Sequence, residues 1–200
     1  MTSPVRAYLS LGTNLGDRLM HLARAARALL VVDEVTLVDV SAVYETAPLG
    51  AGGALVTGMP AFLNCAVVIE TTLSATALRA ATKGIELAMG RGPHGRWESR
   101  VIDIDIVLFG DARIATPELN VPHPSMLGRA FVLRPLVDLD EAISVDGAGR
   151  LADLLPGLAW QGCTLHATAT AFRAAIDAGG VPSSDFTTRP ISDPSSGNRN

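Results

Sequence analysis

Apolar and polar residues alternate along residues 5–11, Val-Arg-Ala-Tyr-Leu-Ser-Leu, so that Ala7, Leu9 and Leu11 share one face of a strand. Gly12 to Gly16 breaks it. Over 17–31 the period lengthens. Leu19, Leu22, Ala23, Ala26, Leu29 and Leu30 recur at three-and-four spacing and predict a helix, with Asp17 in the first turn, where the helix dipole favours an anion. Residues 35–46 are β-rich, and a Gly-rich loop spans 49–60, longer than a typical connection. Over 61–71, Leu63, Cys65, Val67 and Ile69 alternate with Phe62, Asn64, Ala66 and Val68. A second helix is expected at 75–89, capped by Ser74, with Leu78, Ala81, Ile85 and Ala88 as its buried stripe. A loop at 90–99 leads into a strand at 100–109.

Strand, helix, strand, strand, helix, strand is the order of a split βαβ unit. The expected fold class is α+β: a ferredoxin-like βαββαβ sandwich whose antiparallel sheet carries helices on one face, with extra C-terminal elements. The other face is then left for a site. A short β segment at 112–115, a Pro-flanked loop and a helix at 129–138 follow. An Ala/Thr-rich helix is read at 166–178, and from 179 on Pro, Ser and Gly replace the large apolar residues. One domain over 1–165 and a mobile extension over 166–200 are expected.

Composition narrows the class. Hydrophobic residues make up 48% of the 200, which excludes wholesale disorder. Sixteen Lys and Arg against 20 Asp and Glu give −4, a poor balance for a general nucleic-acid binder. Cys65 and Cys163 make neither a disulfide framework nor a zinc site, and Cys65 alternates with core residues. The start, Met-Thr-Ser-Pro-Val-Arg, has no signal-peptide pattern, and no run of about 18 apolar residues occurs. A soluble, cytoplasmic, monomeric protein with neither nucleic-acid nor membrane partner is expected.

The sharpest chemical signal is Val101-Ile102-Asp103-Ile104-Asp105-Ile106. In a strand, Asp103 and Asp105 share one face, about 6.6 Å apart along the chain, and the isoleucines take the other. Carboxylates so spaced can hold two divalent ions about 3.5–4 Å apart. Taken alone, Asp-x-Asp is better read as an acidic solvent face. Asp is nonetheless a poor strand former, and two in so apolar a run argue for a ligand. Arg91, Arg96 and Arg100, around His94 and Trp97, precede it. Alone they read as a solvated basic loop. Running into the Asp pair, they suit a polyphosphate held between metal and guanidinium. His123, between Pro122 and Pro124, is equally readable as a phosphate donor or a structural loop residue. No G-x-x-x-x-G-K-[ST], G-x-G-x-x-G, G-x-S-x-G or H-E-x-x-H occurs, so a phosphate site here would rest on metals and arginines.

Taken in order, these segments resemble one family. Leu9-Ser10-Leu11-Gly12-Thr13-Asn14-Leu15-Gly16-Asp17-Arg18 is similar to the S-L-G-S-N-L-G-D opening of the 6-hydroxymethyl-7,8-dihydropterin pyrophosphokinases. Tyr44-Glu45-Thr46-Ala47-Pro48-Leu49-Gly50 resembles their Y-x-T-x-P-x-G, and Phe62-Leu63-Asn64 their aromatic-L-N. Residues 96–105 resemble R-W-G-P-R-x-L-D-L-D, and 121–124 and 129–136 resemble later blocks. The likeness covers about 5–140. It implies the ferredoxin-like fold and transfer of the pyrophosphoryl group of ATP to the hydroxymethyl group of a reduced pterin, with two Mg²⁺, in folate synthesis. By the same likeness, Asp103 and Asp105 bind both metals, and Arg91 and Arg100 join them in catalysis. Thr46, Pro48, Leu49, Asn64 and Trp97 hold the pterin between Phe62 and Phe131. Glu86, Arg91, Trp97, Arg100, Ile106, His123 and Arg129 line the ATP site. Glu98-Ser99 stand where the family has Gly-Pro, and Gly92-Pro93-His94 where a second loop arginine is usual.

Two other readings stay open at this stage. One is a different Mg²⁺-dependent phosphotransferase on the same scaffold. The other is a ferredoxin-like ligand-sensing module, which the clustering of acids, arginines and aromatics disfavours.

Overall fold

The computed structural model describes residues 3–50, 54–92 and 99–179. The first strand, β1 (Val5–Thr13), buries Ala7, Leu9 and Leu11 completely, on the face its alternation predicts. Helix α1 (Arg18–Leu29) begins where the Asp17 carboxylate accepts the Met20 N–H at 3.2 Å. It is shorter than its pattern, and Leu30, expected in the buried stripe, is 46% exposed past the helix end.

The stretch expected at 35–46 forms two strands, β2 (Val35–Val40) and β3 (Val43–Thr46). Ser41 marks the break: its N–H donates to the Ala66 carbonyl and its hydroxyl accepts the Ala66 N–H at 2.8 Å, so the ladder is bridged by a side chain. Strand β4 (Phe62–Thr71) pairs with both. Helix α2 (Ala75–Ala88) is capped by the Ser74 hydroxyl, which accepts the Ala77 N–H. Its buried stripe runs Leu78, Ala81, Thr82, Ile85 and Glu86, and Met89 packs on the core beyond it. Ala88, expected inside, is exposed as the last residue of the helix.

Strand β5 (Asp103–Phe109) starts later than expected, since the Arg100 carbonyl is taken by the Asn14 N–H and the Thr13 hydroxyl. The short pairs β6 (Ile114–Ala115) with β7 (Asn120–Val121), and β8 (Ser144–Val145) with β9 (Gly149–Arg150), flank helix α3 (Ala130–Leu139). Then come α4 (Leu151–Leu154), β10 (Thr164–Ala167) and α5 (Ala169–Ala178).

The main sheet has the order β10-β3-β4-β1-β5, with β2 beside β3 on the same edge of β4, and every pairing is antiparallel. Helices α1 and α2 pack on one face, over Leu9, Cys65, Val67, Ile104 and Ile106. That is the ferredoxin-like arrangement. The segment after β5 takes helix α3 to the opposite face, where Val132, Leu133, Leu136 and Val137 form a second core with Ala66 and Val107. Only part of that face is left uncovered.

The boundary expected between 165 and 166 falls inside β10, which pairs with β3. Helix α5 docks against α1 through Phe172 and Ile176, 0% and 2% exposed. Arg27, itself buried, donates to the Ile176 carbonyl at 2.7 Å and the Ala175 carbonyl at 2.9 Å, so a cation serves the last turn of α5. The tail expected to be mobile lies, from 180 on, outside the described residues.

Candidate active site

The pleat of β5 sets the site. Ile102, Ile104 and Ile106 enter the core under α1 and α2, which turns Asp103 and Asp105 to the opposite face. There they stand across from Gly12 and Ser10 of β1. Helix α3 stops short of this end of the sheet and leaves a cavity of about 140 Å³. Its floor is Ser10, Gly12, Asn64, Asp103 and Asp105; its rim carries Thr46, Pro48, Leu49 and Phe62 on one side and Arg129 and Phe131 on the other. Val56 and Met59 close it through a narrow loop in which Val56 N–H donates to the Pro48 carbonyl at 2.9 Å. Residues 51–53 of that loop lie outside the described residues.

Each wall is tied down by long-range bonds. Arg18 donates to Glu45 Oε1 at 2.6 Å and to the Ala61 carbonyl at 2.8 Å, fixing the strands that carry Thr46 and Phe62. Asn64 Nδ2 donates to Thr46 Oγ1 at 2.8 Å, which leaves the Thr46 hydroxyl a donor and the Asn64 carbonyl an acceptor for a ligand. Gln161 accepts the Ala130 N–H and donates to the Gly128 carbonyl, both at 2.8 Å, and so sets the start of α3 where Arg129 and Phe131 stand. The Arg129 guanidinium lies 5.7 Å from the centre of the Phe131 ring. Asn14, 2% exposed, accepts the Arg100 N–H at 2.7 Å and donates to the Ser99 hydroxyl and the Pro60 carbonyl.

Charge is concentrated around Asp103. Arg91 donates to Asp103 Oδ1 at 2.5 Å and also to Glu86, and Arg100 donates to Asp103 Oδ2. Burial works to raise the Asp103 pKa, but Arg100, Arg91 and Lys83 outweigh it and hold the carboxyl below its ordinary value. Asp105 goes the other way. Burial and then the Asp103 charge push its carboxyl up, against Lys83, His123 and Arg100. Burial likewise lowers His123 and Arg129 despite the pull of Asp105 on each. His123 is held to β5 by its N–H, which donates to the Val107 carbonyl at 3.0 Å.

A second cavity, of about 270 Å³, adjoins the first. Ile106, Asn120 and Pro124 line it, and Asp105 and His123 line both cavities. Of the residues singled out in the sequence, Thr46, Pro48, Leu49, Phe62, Asn64, Arg100, Asp103, Asp105, His123, Arg129 and Phe131 surround the first cavity, and Ile106 borders the second. Arg91 lines neither and reaches the site through Asp103. Glu86, expected among the ATP contacts, is 2% exposed and turned inward. It accepts the Ile104 N–H at 2.6 Å, Lys83 Nζ at 2.7 Å and Arg91, while burial raises its pKa. His94, Arg96, Trp97 and Glu98 lie outside the described residues. Lys83, Asn14, Arg18 and Gln161 were given no role from sequence. Asn14 and Arg18 stand in the segment that resembles the family's opening, and Lys83 lies three residues before Glu86 on one helix; Gln161 has no local signal.

The donor set suits a hard cation. Among the described residues no three His, Cys, Asp or Glu side chains converge, and Asp103 and Asp105 are the carboxylates among them that line the first cavity. Mg²⁺ is commonly bound by one or two carboxylates, with phosphate and water oxygens completing its shell.

Comparisons with known proteins point to one family. The family described as 7,8-dihydro-6-hydroxymethylpterin-pyrophosphokinase (HPPK) matches residues 8–141. The 2-amino-4-hydroxy-6-hydroxymethyldihydropteridine pyrophosphokinase of Bacillus subtilis is 39% identical over 147 residues, 74% of this chain and 85% of that one. The protein of the same name from Pseudomonas aeruginosa is 36% identical over 157 residues, 78% and 94% of the two chains. In fold, the chain is similar to wild-type Plasmodium falciparum HPPK-DHPS crystallised with pteroate, with a TM-score of 0.62 at 17% identity, over 78% of this chain and 43% of that one. This chain therefore belongs to the 7,8-dihydro-6-hydroxymethylpterin-pyrophosphokinase family.

Proposed function

We propose that this pyrophosphokinase joins its two substrates across Asp103 and Asp105, with the pterin in the first cavity and ATP in the second. The observation that carries the reading is that Asp105 and His123 border both cavities, so a group passing from one to the other passes the Asp105 carboxylate, with Asp103 on the first-cavity side of it. Phe62 and Phe131 stack on the pterin ring from either side, as offset aromatic pairs prefer. Asn64, Thr46 and the backbone as far as Leu49 hydrogen-bond its edge. Ile106 takes the adenine side, and His123 and Arg129 meet the phosphates.

Asp103 and Asp105 would hold two Mg²⁺. Bound there, the ions would neutralise the phosphate oxygens and help bring the substrate hydroxyl into line with the β-phosphorus. Arg100, and Arg91 through Asp103, offset charge that develops around that phosphorus as the hydroxyl oxygen bonds to it; its bond to the α-phosphate oxygen breaks, AMP leaves, and the hydroxyl proton passes to water. Catalysis of this kind is mostly positioning and charge neutralisation.

The test is coupled AMP production from ATP, Mg²⁺ and 6-hydroxymethyl-7,8-dihydropterin. AMP should form only with all three present. No AMP from the wild type, or undiminished turnover in Asp103→Ala, refutes the reading.

A further inference from the structure

Lys83 is a cation the two aspartates share. Its Nζ lies 3.9 Å from Asp103 Oδ1 and 3.9 Å from Asp105 Oδ1. Asp103 is also served by Arg91 and Arg100, whereas Lys83 is the cation within 4 Å of Asp105 among the described residues. An ammonium has three donors. Glu86 takes one at 2.7 Å and the Ile104 carbonyl a second at 3.4 Å. The third has no partner in the protein among the described residues. The side chain is 36% exposed and lines the second cavity beside Asp105, Ile106 and His123. Arg91 and the Ile104 N–H also serve both Glu86 oxygens, so Lys83 is not the sole partner of that carboxylate.

We propose that Lys83 is a phosphate-binding residue of the nucleotide site. Its ammonium balances Asp105 until a divalent cation does so, and it then serves the phosphates of ATP as a mobile point charge. A lysine suits that exchange better than an arginine, whose planar fork is committed to one bidentate geometry. The inference rests on the reading of the second cavity as the ATP site.

Calorimetric titration of the whole protein with ATP and with adenosine, with and without Mg²⁺, tests it without using turnover. Lys83→Gln removes the charge but keeps a donor for Glu86; Lys83→Met removes both, and Lys83→Arg restores a cation. ATP should bind about tenfold more weakly to the Gln and Met variants, the loss expected for a hydrogen bond to a charged group. Adenosine, which lacks phosphates, should bind within about twofold of wild type by the same argument, and the Arg variant should regain most of the ATP affinity. Equal weakening of ATP and adenosine would reveal a merely structural lysine and overturn the proposal, as would unchanged ATP affinity. A wild type that binds no ATP would instead overturn the assignment of the second cavity.

Discussion

On one face of β5, Ile104 and Ile106 are 1% and 4% exposed among side chains of α1, α2 and β1. On the other, one residue along, the Asp103 and Asp105 side chains are 19% and 40% exposed at the floor of a cavity. The same backbone serves both, and the Glu86 carboxylate holds its Ile104 N–H in place. The isoleucine face gains by excluding water. The aspartate face brings like charges together beside a hole, which costs stability, and it persists because the other face holds the strand. Stability and chemistry are thus divided by the two-residue repeat of a strand, within five residues.

That division can be broken by removing one residue from each face. Asp105→Ala should cut turnover by about a thousandfold, the order seen when an electrostatic stabiliser is lost, with no fall in thermal midpoint. Ile104→Ala should cost about 2–5 kcal/mol in urea unfolding, while the folded fraction keeps most of its turnover. If both variants lose stability alike, the faces are not separable.

A smaller effect tests how tightly the cavity floor is built. A Cβ on Gly12 would lie 3.0 Å from Asn64 Oδ1, at the edge where the pterin is proposed to bind. Overpacking of this kind costs about 1–3 kcal/mol, so Gly12→Ala should raise KM for the pterin about tenfold and leave KM for ATP unchanged. A rise in KM for ATP instead would move the pterin to the other cavity.

The smallest effect separates the two carboxylates themselves. The Asp103 pKa is lowered in the fold, so its charge adds stability above the ordinary carboxylate range, and this is lost as pH falls through the folded value. The Asp105 pKa is raised, so near neutral pH its charge opposes folding, and that penalty fades as the carboxyl takes up its proton in acid. With chelator present, Asp105→Asn should therefore raise the melting midpoint near neutral pH, and Asp103→Asn should lower it. Both differences should shrink in acid. A lowered midpoint in both would show that Asp105 stabilises the fold as Asp103 does.

Strand and helix periods made most of the βαββαβ order legible, because alternation and three-and-four spacing are set by neighbours a few residues apart. The same locality let Asp103 and Asp105 be placed on one face. Ala88 and Leu30 were misplaced where a helix ends, since a period does not say where it stops. Contacts across the chain left no local trace. Asn14 meets Ser99 and Arg100, Gln161 meets the start of α3, and Arg27 meets the last turn of α5. The inward turn of Glu86 was equally hidden, because a motif match gives a position and not the direction of a side chain.

The amino-acid order alone determined which residues alternate, which helices are two-faced, and that two acids share a strand face with arginines upstream. These follow from backbone geometry and from the pattern of residues that water rejects. Tertiary structure decided that α3 covers only part of the open face, that β10 and α5 complete the domain, and that Lys83 comes to rest against acids twenty or so residues further along. Those outcomes depend on how separate elements register and pack, and such contacts form between surfaces that no short stretch of chain contains.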